Sequence, residues 1–410
     1  MRSFFRKWGL CLLMLLATTL NYLDRQTVSI LAPILQDEMK FDNEALGWLF
    51  SVFYYAYTFA QFGVGLLLDR FSVRWLYGGA VLAWSATCAL TGLSNGFAAL
   101  LGFRLLLGIT ESANWPGAMR IVSRVLPPAE RAMGNGIFTS GTSVGALIAP
   151  GLILAIAASA GWRMAFAALG SLGIVWFLAW YRVTAAPRYA EVWQPEAGGP
   201  ARRSALETYS VILKDPQFWR VFAVTIMVNP CLYFYLNWLP TYFRQVHQLE
   251  PRGTMAQILT ALYLGLDLGY LACGAAVILL TRRGFGVEAA RRIVFLSATA
   301  LLFASAAAAF RSELGAVVAL LIVCNFAIGV WIAMYLTMAQ EVNLANVSTT
   351  AGLLGGSGSL AGAVAMWAVG RVTKQTGSFA IPLAAVSIFG ALAAAAGWAA
   401  SNRDKRPLSP

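Results

Sequence analysis

Five charged side chains stand inside stretches that are otherwise apolar: Asp24, Arg25, Arg104, Glu111 and Asp267. A charge at the centre of a bilayer costs roughly 2.5–3.5 kcal/mol on insertion scales, so such residues normally face a bundle interior and have partners there. The three acids and two arginines sum to −1, and protonation of Asp24 and Glu111 changes the sum to +1. Because arginine forks bind carboxylates well, this set predicts proton-linked binding of an organic anion.

The spacing of these charges suggests how they could share the work. Arg104 and Glu111 are seven residues apart, which puts them on one helical face about 10.5 Å apart along the axis. That separation is too long for a direct bond and long enough to flank a small ligand. Asp24 and Arg25 are adjacent and point about 100° apart, so each needs its own partner, and we expect the helix of Arg104 and Glu111 to supply both. Internal salt bridges that only fix helix packing are the alternative.

Two further apolar segments carry polar stripes that suit sugar hydroxyls. Tyr54, Tyr57 and Gln61 share a helical face, and Tyr233 and Asn237 are four residues apart. Aromatic packing or an interfacial position is the alternative interpretation of each tyrosine.

The segments that position these residues are membrane spans. The chain has 410 residues, is 59% hydrophobic and only 12% charged, and has a mean hydropathy of +0.66, a composition unlike that of soluble domains. About 20 mostly apolar residues are needed for each span, which predicts twelve. These spans are 10–35, 45–68, 75–94, 97–120, 132–158, 162–184, 218–243, 255–281, 291–310, 314–340, 348–371 and 378–400.

The fold class predicted from this pattern is an all-α polytopic membrane protein with two pseudo-symmetric six-helix bundles. Residues 1–184 form the first bundle, 185–217 a cytoplasmic linker, and 218–410 the second bundle. The basic, apolar N-terminus resembles a signal peptide, but its apolar run continues to Ile34 without a cleavage site, so we interpret it as a retained first span.

The positive charges orient the chain. With the N-terminus inside, 21 of the 30 lysines and arginines fall on the cytoplasmic side and six fall outside, which predicts that both termini are cytoplasmic. The net charge of +12 is then explained by contact with the anionic lipid bilayer and not with nucleic acid.

Other kinds of chemistry find little support. The five cysteines lie in apolar runs without metal-like spacing, and the single histidine, His247, lies in a predicted loop. We therefore expect no metal site and no cofactor. Because no nucleophile–base pair or phosphate loop is present, we do not expect an enzyme.

Two motifs mark a duplicated architecture. The loop after span 2 reads "GLLLDRFSVR" and contains Gly65, Asp69, Arg70 and Arg74. Spans 5 and 11 carry the glycine-rich stretches "GTSVGALIAPG" and "GLLGGSGSLAG", which allow close helix approach. We expect Asp69, Arg70 and Arg74 to latch the two halves in one conformation. The glycine motif of span 5 contributes the structural residues Gly141, Gly145 and Pro150.

These motifs resemble those of the major facilitator superfamily. "GLLLDRFSVR" resembles its loop 2–3 signature, and "GTSVGALIAPG" resembles its helix 5 glycine–proline motif. "NYLDRQTVSILAP" and "FRLLLGITESANWPGAMRIVSRVLPPAERAMGNGIFTSGTSVGALIAP" resemble the anion:cation symporter family, and "ILKDPQFW", "LGLDLGY" and "RRGFGV" resemble its hexuronate-transporter branch. The resemblance covers spans 1 to 11.

The resemblance implies roles for several residues. Asp24 and Glu111 match protonation sites, with Glu111 preferred because the hexuronate branch does not always have an acid at the other position. Arg25 and Arg104 match positions that hold the substrate anion. Further implied or candidate substrate contacts are Tyr54, Tyr57, Tyr233, Asn237, Tyr335 and Asp267, the last flanked on its face by Tyr263 and Tyr270. At Thr142 and Gly355 the side chains are shorter than the Gln and Asn of galactonate-type relatives.

The function that these observations favour is proton symport of an organic anion, a hexuronate or related sugar acid, by a monomer that alternates access across a bacterial inner membrane. Transport of tartrate or an aromatic acid remains an alternative. An organophosphate antiporter would need an additional arginine within span 7, where Arg220 and Arg244 lie only at the two ends. A transport-dead membrane sensor is a third possibility, but Glu111 and the absence of a signalling domain in the sequence weigh against it.

Overall fold

The computed structural model describes residues 2–41, 43–193, 204–249 and 254–401. Part of the predicted linker, 194–203, lies outside these ranges. The predicted cytoplasmic charges Arg202, Arg203, Arg403, Lys405 and Arg406 and the predicted external charge Arg252 also lie outside the described residues.

Helices occupy every predicted span. They are α1 (Arg2–Met39), α2 (Asn43–Arg70), α3 (Val73–Thr91), α4 (Phe97–Glu111), α5 (Asn114–Val125), α6 (Arg131–Ala160), α7 (Trp162–Thr184), α8 (Ala190–Trp193), α9 (Ala205–Lys214), α10 (Pro216–Asn237), α11 (Leu239–Val246), α12 (Thr254–Arg282), α13 (Val287–Ala309), α14 (Leu314–Val342), α15 (Val347–Thr376) and α16 (Ala380–Ser401). Within the described residues, nine helical stretches are long and apolar enough to cross a membrane. The all-α polytopic fold class is confirmed.

Two predicted spans are broken, which corrects the sequence-based boundaries. Span 97–120 consists of α4 and α5, which meet at Ser112 and Ala113. Pro116 explains the break, because in a continuous helix its ring would clash with the Ser112 carbonyl four residues earlier. Span 218–243 divides at Trp238 into α10 and α11. Pro240 has the same effect there on the carbonyl of Leu236.

Buried hydrogen bonds fix the first of these breaks. The Asn114 side chain at the start of α5 accepts a 2.8 Å bond from the Tyr77 hydroxyl and donates a 3.3 Å bond to Thr18 Oγ1. The Ser112 hydroxyl donates to the Ile109 carbonyl over 2.6 Å. The end of α4 at Glu111 is therefore tied to α1 and α3.

The chain forms two compact units. Unit 1 comprises Met1–Leu126, Ile137–Thr208 and Asn343–Gly356, and unit 2 comprises Pro127–Gly136, Tyr209–Val342 and Ser357–Pro410. Each unit thus combines most of one predicted half of the sequence with a short segment of the other. The predicted boundaries at 184 and 218 stay a prediction.

Small residues set the helix spacing in unit 1. A β-carbon at Gly170 of α7 would lie 2.6 Å from the Ala89 backbone nitrogen of α3, and one at Gly173 would overlap the Ser85 side chain. Predicted Gly141 and Gly145 of α6 similarly press against α1, where a β-carbon at position 145 would lie 2.7 Å from Tyr22 Cβ. Close backbone approach, and not helix flexibility, is what these glycines provide.

We expect Gly170→Ala to destabilise the protein by about 1–3 kcal/mol, because the added methyl has no space between α7 and α3. Thermal unfolding of the purified protein in detergent measures the effect. The matched control is Gly79→Ala on α3, where nothing lies within 4 Å of the added carbon and alanine is the better helix former. Equal unfolding temperatures for the two variants would contradict the packing argument.

Candidate functional site

A buried ion pair joins α1 to α4 in unit 1. Arg25 donates to Glu111 Oε2 from Nη2 over 2.9 Å and from Nε over 3.3 Å. The Glu111 side chain is fully buried and that of Arg25 is 15% exposed. Asn21, one turn before Arg25, accepts a further 3.4 Å bond from it. The sequence expectation that Arg25 has its own partner on this helix is met by Glu111.

Aromatic rings surround the Arg25 guanidinium on its other sides. Its central carbon lies 4.7 Å from the ring centroid of Phe53 and 5.1 Å from those of Tyr22 and Tyr57. Cations over aromatic faces within about 6 Å are attracted by the ring quadrupole. Arg25 is therefore held by one carboxylate and three rings.

Arg104 is bound differently from Arg25. Its Nη1 donates to the Arg25 carbonyl oxygen over 3.3 Å, and its guanidinium carbon lies 4.6 Å from the Phe53 centroid. The side chain is buried, and its Nε has no hydrogen-bond partner among the described residues. The two arginines thus meet at one phenyl ring, but only Arg25 pairs with Glu111.

Gly108 explains how α2 comes close enough for this arrangement. It lies on α4 between Arg104 and Glu111, and a β-carbon there would lie 2.5 Å from the Phe53 carbonyl oxygen and 3.1 Å from the Tyr57 nitrogen. A larger residue would move Phe53 and Tyr57 away from both guanidiniums.

The expected partner of Asp24 on this helix is wrong. Asp24 is buried, and neither of its carboxyl oxygens has a hydrogen-bond partner of normal geometry among the described residues. The thiol of Cys88 on α3 faces the carboxyl. The angle of about 100° between adjacent residues turns Asp24 towards α3 when Arg25 turns towards α4.

The polar stripe of α2 is partly internal. Gln61 Nε2 donates to the Tyr57 hydroxyl over 3.0 Å, and both side chains are buried. Tyr54 is 43% exposed. The missing side chain at Gly355 leaves room for Gln61, whose Oε1 lies 3.2 Å from where a β-carbon would stand.

Unit 2 holds the other predicted substrate contacts. The hydroxyl of Tyr233 on α10 lies 3.4 Å from Ser359 Oγ, and the Asn237 amide donates to the Tyr233 carbonyl over 2.8 Å. Tyr335 on α14 is buried beside Tyr233. Asp267 on α12 is partly buried.

Asp69 at the end of α2 binds the start of α15. Its carboxylate accepts bonds from the Ser348 nitrogen at 3.0 Å and from the Thr349 nitrogen and hydroxyl at 2.7 Å each, and it pairs with Arg120. Backbone donors at a helix N-terminus favour an anion. Gly65 lets α2 lie directly against Ser348.

The predicted partner of Asp69 within its own motif is therefore corrected. Arg74 binds α7, with a 3.0 Å bond to Thr184 Oγ1 and a 3.3 Å bond to the Tyr181 carbonyl. Arg70 lies partly buried at the end of α2. The sequence counted Arg120 only as a topology-determining charge.

A comparable acidic side chain occurs in unit 2. Glu341 at the end of α14 accepts from Arg131 over 2.9 Å and from Arg291 over 2.5 and 3.1 Å. Arg291 also donates to the Pro128 carbonyl over 2.6 Å. This network ties the 127–136 segment to α13 and α14.

Three functional candidates escaped the sequence reasoning: Phe53, Cys88 and Arg120. Phe53 looked like any apolar residue of a span, and Cys88 like a small buried hydrophobe. A basic residue near a span end, such as Arg120, gives no sign of its partner. No group of three or more His, Cys, Asp or Glu side chains in the described ranges could hold a metal ion.

Comparisons with known proteins agree on one family. The sequence profile described as Major Facilitator Superfamily matches residues 14–346. A D-galactonate transporter of Escherichia coli O6:H1 is 26% identical, covering 94% of each chain. A hexuronate transporter of Escherichia coli K12 is 28% identical, covering 96% of this chain and 93% of that protein. A solved structure of the transporter FucP in the outward conformation superposes with a TM-score of 0.75 at 13% identity, covering 95% of this chain and 97% of the other, and so shows the fold alone.

The buried pair generates a stability prediction. Arg25→Met and Glu111→Gln should each destabilise the protein by about 3–5 kcal/mol, because each leaves a buried partner uncompensated. The double variant should cost much less than the sum of the two. Denaturant unfolding in mixed micelles measures this double-mutant cycle.

The matched control is the pair of Arg163 and Glu38, which lies 2.5 Å apart but is 47% and 43% exposed. The same cycle with Arg163→Met and Glu38→Gln should show little coupling, because water screens the two charges. Additive effects at Arg25 and Glu111 would contradict a strong buried pair.

Proposed function

This chain belongs to the Major Facilitator Superfamily, and on that premise we propose that it carries a sugar acid, such as a hexuronate, together with protons by alternating access. The relatives that align along nearly its full length are named as transporters of galactonate and hexuronate. Both substrates are polyhydroxylated carboxylates, which need a cationic anchor and hydrogen-bonding groups around it.

The observation that carries the proposal is the buried pair of Arg25 and Glu111. Proton binding to Glu111 removes the negative charge that holds two Arg25 donors. Those donors then become available to the substrate carboxylate, so the proton and the anion favour each other's binding. Release of the proton restores the pair and expels the anion, which gives coupling in both directions.

The charge balance of unit 1 supports the same scheme. Asp24, Arg25, Arg104 and Glu111 sum to zero when all are ionised and to +2 when both carboxyls are protonated. In a medium of low dielectric this change is a strong bias towards an anion. Glu111 is the principal proton site in this proposal, and Asp24 is a second carboxyl that must be neutral when the anion binds.

Arg104 serves as the permanent anchor in this proposal. Because no carboxylate of the described residues pairs with it, its planar fork can bind one carboxylate in a bidentate manner. Tyr57 lies beside this anchor on α2, with Gln61 one turn away, and together they suit sugar hydroxyls. Tyr54, Tyr233, Asn237, Tyr335 and Asp267 remain proposed substrate contacts on sequence grounds.

The remaining parts of the proposal concern placement. The excess of basic residues in the predicted cytoplasmic segments supports cytoplasmic termini in a bacterial inner membrane. The bonds of Asp69 to α15 support a latch that opens and closes with transport. We propose a monomer as the working unit.

A reconstituted uptake screen tests the function. Proteoliposomes should accumulate a radiolabelled sugar acid from a set of glucuronate, galacturonate, galactonate, glucarate and tartrate only when an inward proton gradient is imposed. Equal uptake without the gradient would contradict proton coupling. Accumulation of tartrate alone would reassign the substrate to a short dicarboxylate.

Glu111→Gln separates binding from coupling. The amide is neutral at every pH and mimics the protonated acid, so counterflow exchange of the substrate should persist and gradient-driven accumulation should fall to background. Glu313→Gln, the same change at an exposed residue, should leave both activities unchanged. Normal accumulation by the Glu111 variant would move the proton site elsewhere.

A further inference from the structure

We propose that Phe53 is a positioning residue for the anion site, whose ring holds the guanidiniums of Arg25 and Arg104 by their faces and so sets substrate affinity. This inference rests on the proposed function, because it assigns the two arginines to the transported anion. It gives an apolar side chain a role in recognising a carboxylate that it need not contact itself.

The geometry at Phe53 carries the inference. Its side chain is completely buried on α2, with Arg25 and Arg104 at 4.7 and 4.6 Å from the ring centroid. The ring also stacks on Tyr57 at 5.8 Å and meets the edge of Tyr54 at 5.3 Å. Both guanidiniums therefore contact one ring that its neighbours hold in place.

A ring suits this position better than an acid would. A carboxylate would neutralise the arginines by occupying their in-plane N–H donors, which are the atoms that an incoming anion needs. The face of a phenyl ring attracts the face of a guanidinium and leaves those in-plane donors available. Phe53 thus offsets the repulsion between two buried like charges without competing with the substrate.

The ring also matters for the proton-linked step. When Glu111 is protonated, Arg25 loses its carboxylate but retains Tyr22, Phe53 and Tyr57 around its guanidinium. The side chain then stays oriented and does not have to be ordered again by the anion. Pre-ordering of this kind raises affinity because less rotamer entropy is lost on binding.

Simple packing is the competing explanation, and it depends on a different property of the side chain. Packing needs the shape and volume of Phe53, whereas attraction to guanidiniums needs the electron density of the ring face. Replacement of ring hydrogens by fluorine reduces that density step by step with little change of shape. A fluorination series therefore distinguishes the two.

The test introduces phenylalanine carrying one, two or three ring fluorines at position 53 of the full chain by nonsense suppression. The Michaelis constant for the sugar acid should rise with each fluorine, to about tenfold for the trifluorinated ring, with the maximal rate less affected. The unfolding temperature of the substrate-free protein in detergent should fall in the same graded order. The control series at Phe59, on the same helix but 71% exposed, should leave both quantities unchanged.

The two readouts separate this inference from the proposed function. If the protein transports a sugar acid but both quantities stay flat across the Phe53 series, or change equally with any fluorine, the inference is wrong and the function stands. If no sugar acid is transported, the proposed function fails. A graded unfolding temperature at Phe53 alone would then still support the ring–guanidinium interaction, and a flat one would overturn it.

Discussion

The buried pair of Arg25 and Glu111 is the interaction on which the arrangement of unit 1 depends. Two charges withdrawn from water are tolerated only when each finds its partner at short range and with good geometry. This requirement brings α1 against α4. The same contact brings in α2, because Gly108 on α4 admits Phe53 and Tyr57 beside the two guanidiniums. The end of α4 at Glu111 is then fixed by Asn114, Tyr77 and Thr18 around the helix break.

The sequence predicted the spans well and their interruptions poorly, for one physical reason. Hydrophobic length is a property of a window of about 20 residues, and it survives the presence of one proline. Pro116 and Pro240 act on a single carbonyl each, so a window average conceals them although the local rule is simple. The consequence is functional as well as structural, since the break after Glu111 makes this residue the end of a helix and not its middle.

The site was predictable in its members but not in its pairings. Intramembrane charge alone pointed to Asp24, Arg25, Arg104 and Glu111, and these do lie in one unit. Their partners depend on the direction of each side chain between helices, which no spacing within one helix reveals. Phe53 and Phe59 illustrate the limit, because six residues apart on α2 one is fully buried at the arginines and the other is 71% exposed.

The two acids that bind distant segments show how a duplicated architecture can diverge in sequence. Asp69 at the end of α2 binds backbone amides of the 343–356 segment, while Glu341 at the end of α14 binds Arg131 of the 127–136 segment. The loop that corresponds to the Asp69 motif in the second half, after α12, has no acid. Its electrostatic task falls to a different helix, and its target changes from helix-terminal amides to guanidiniums. Internal repeats in such a chain are therefore recognised more reliably by which segment must be held than by matching the residues that hold it.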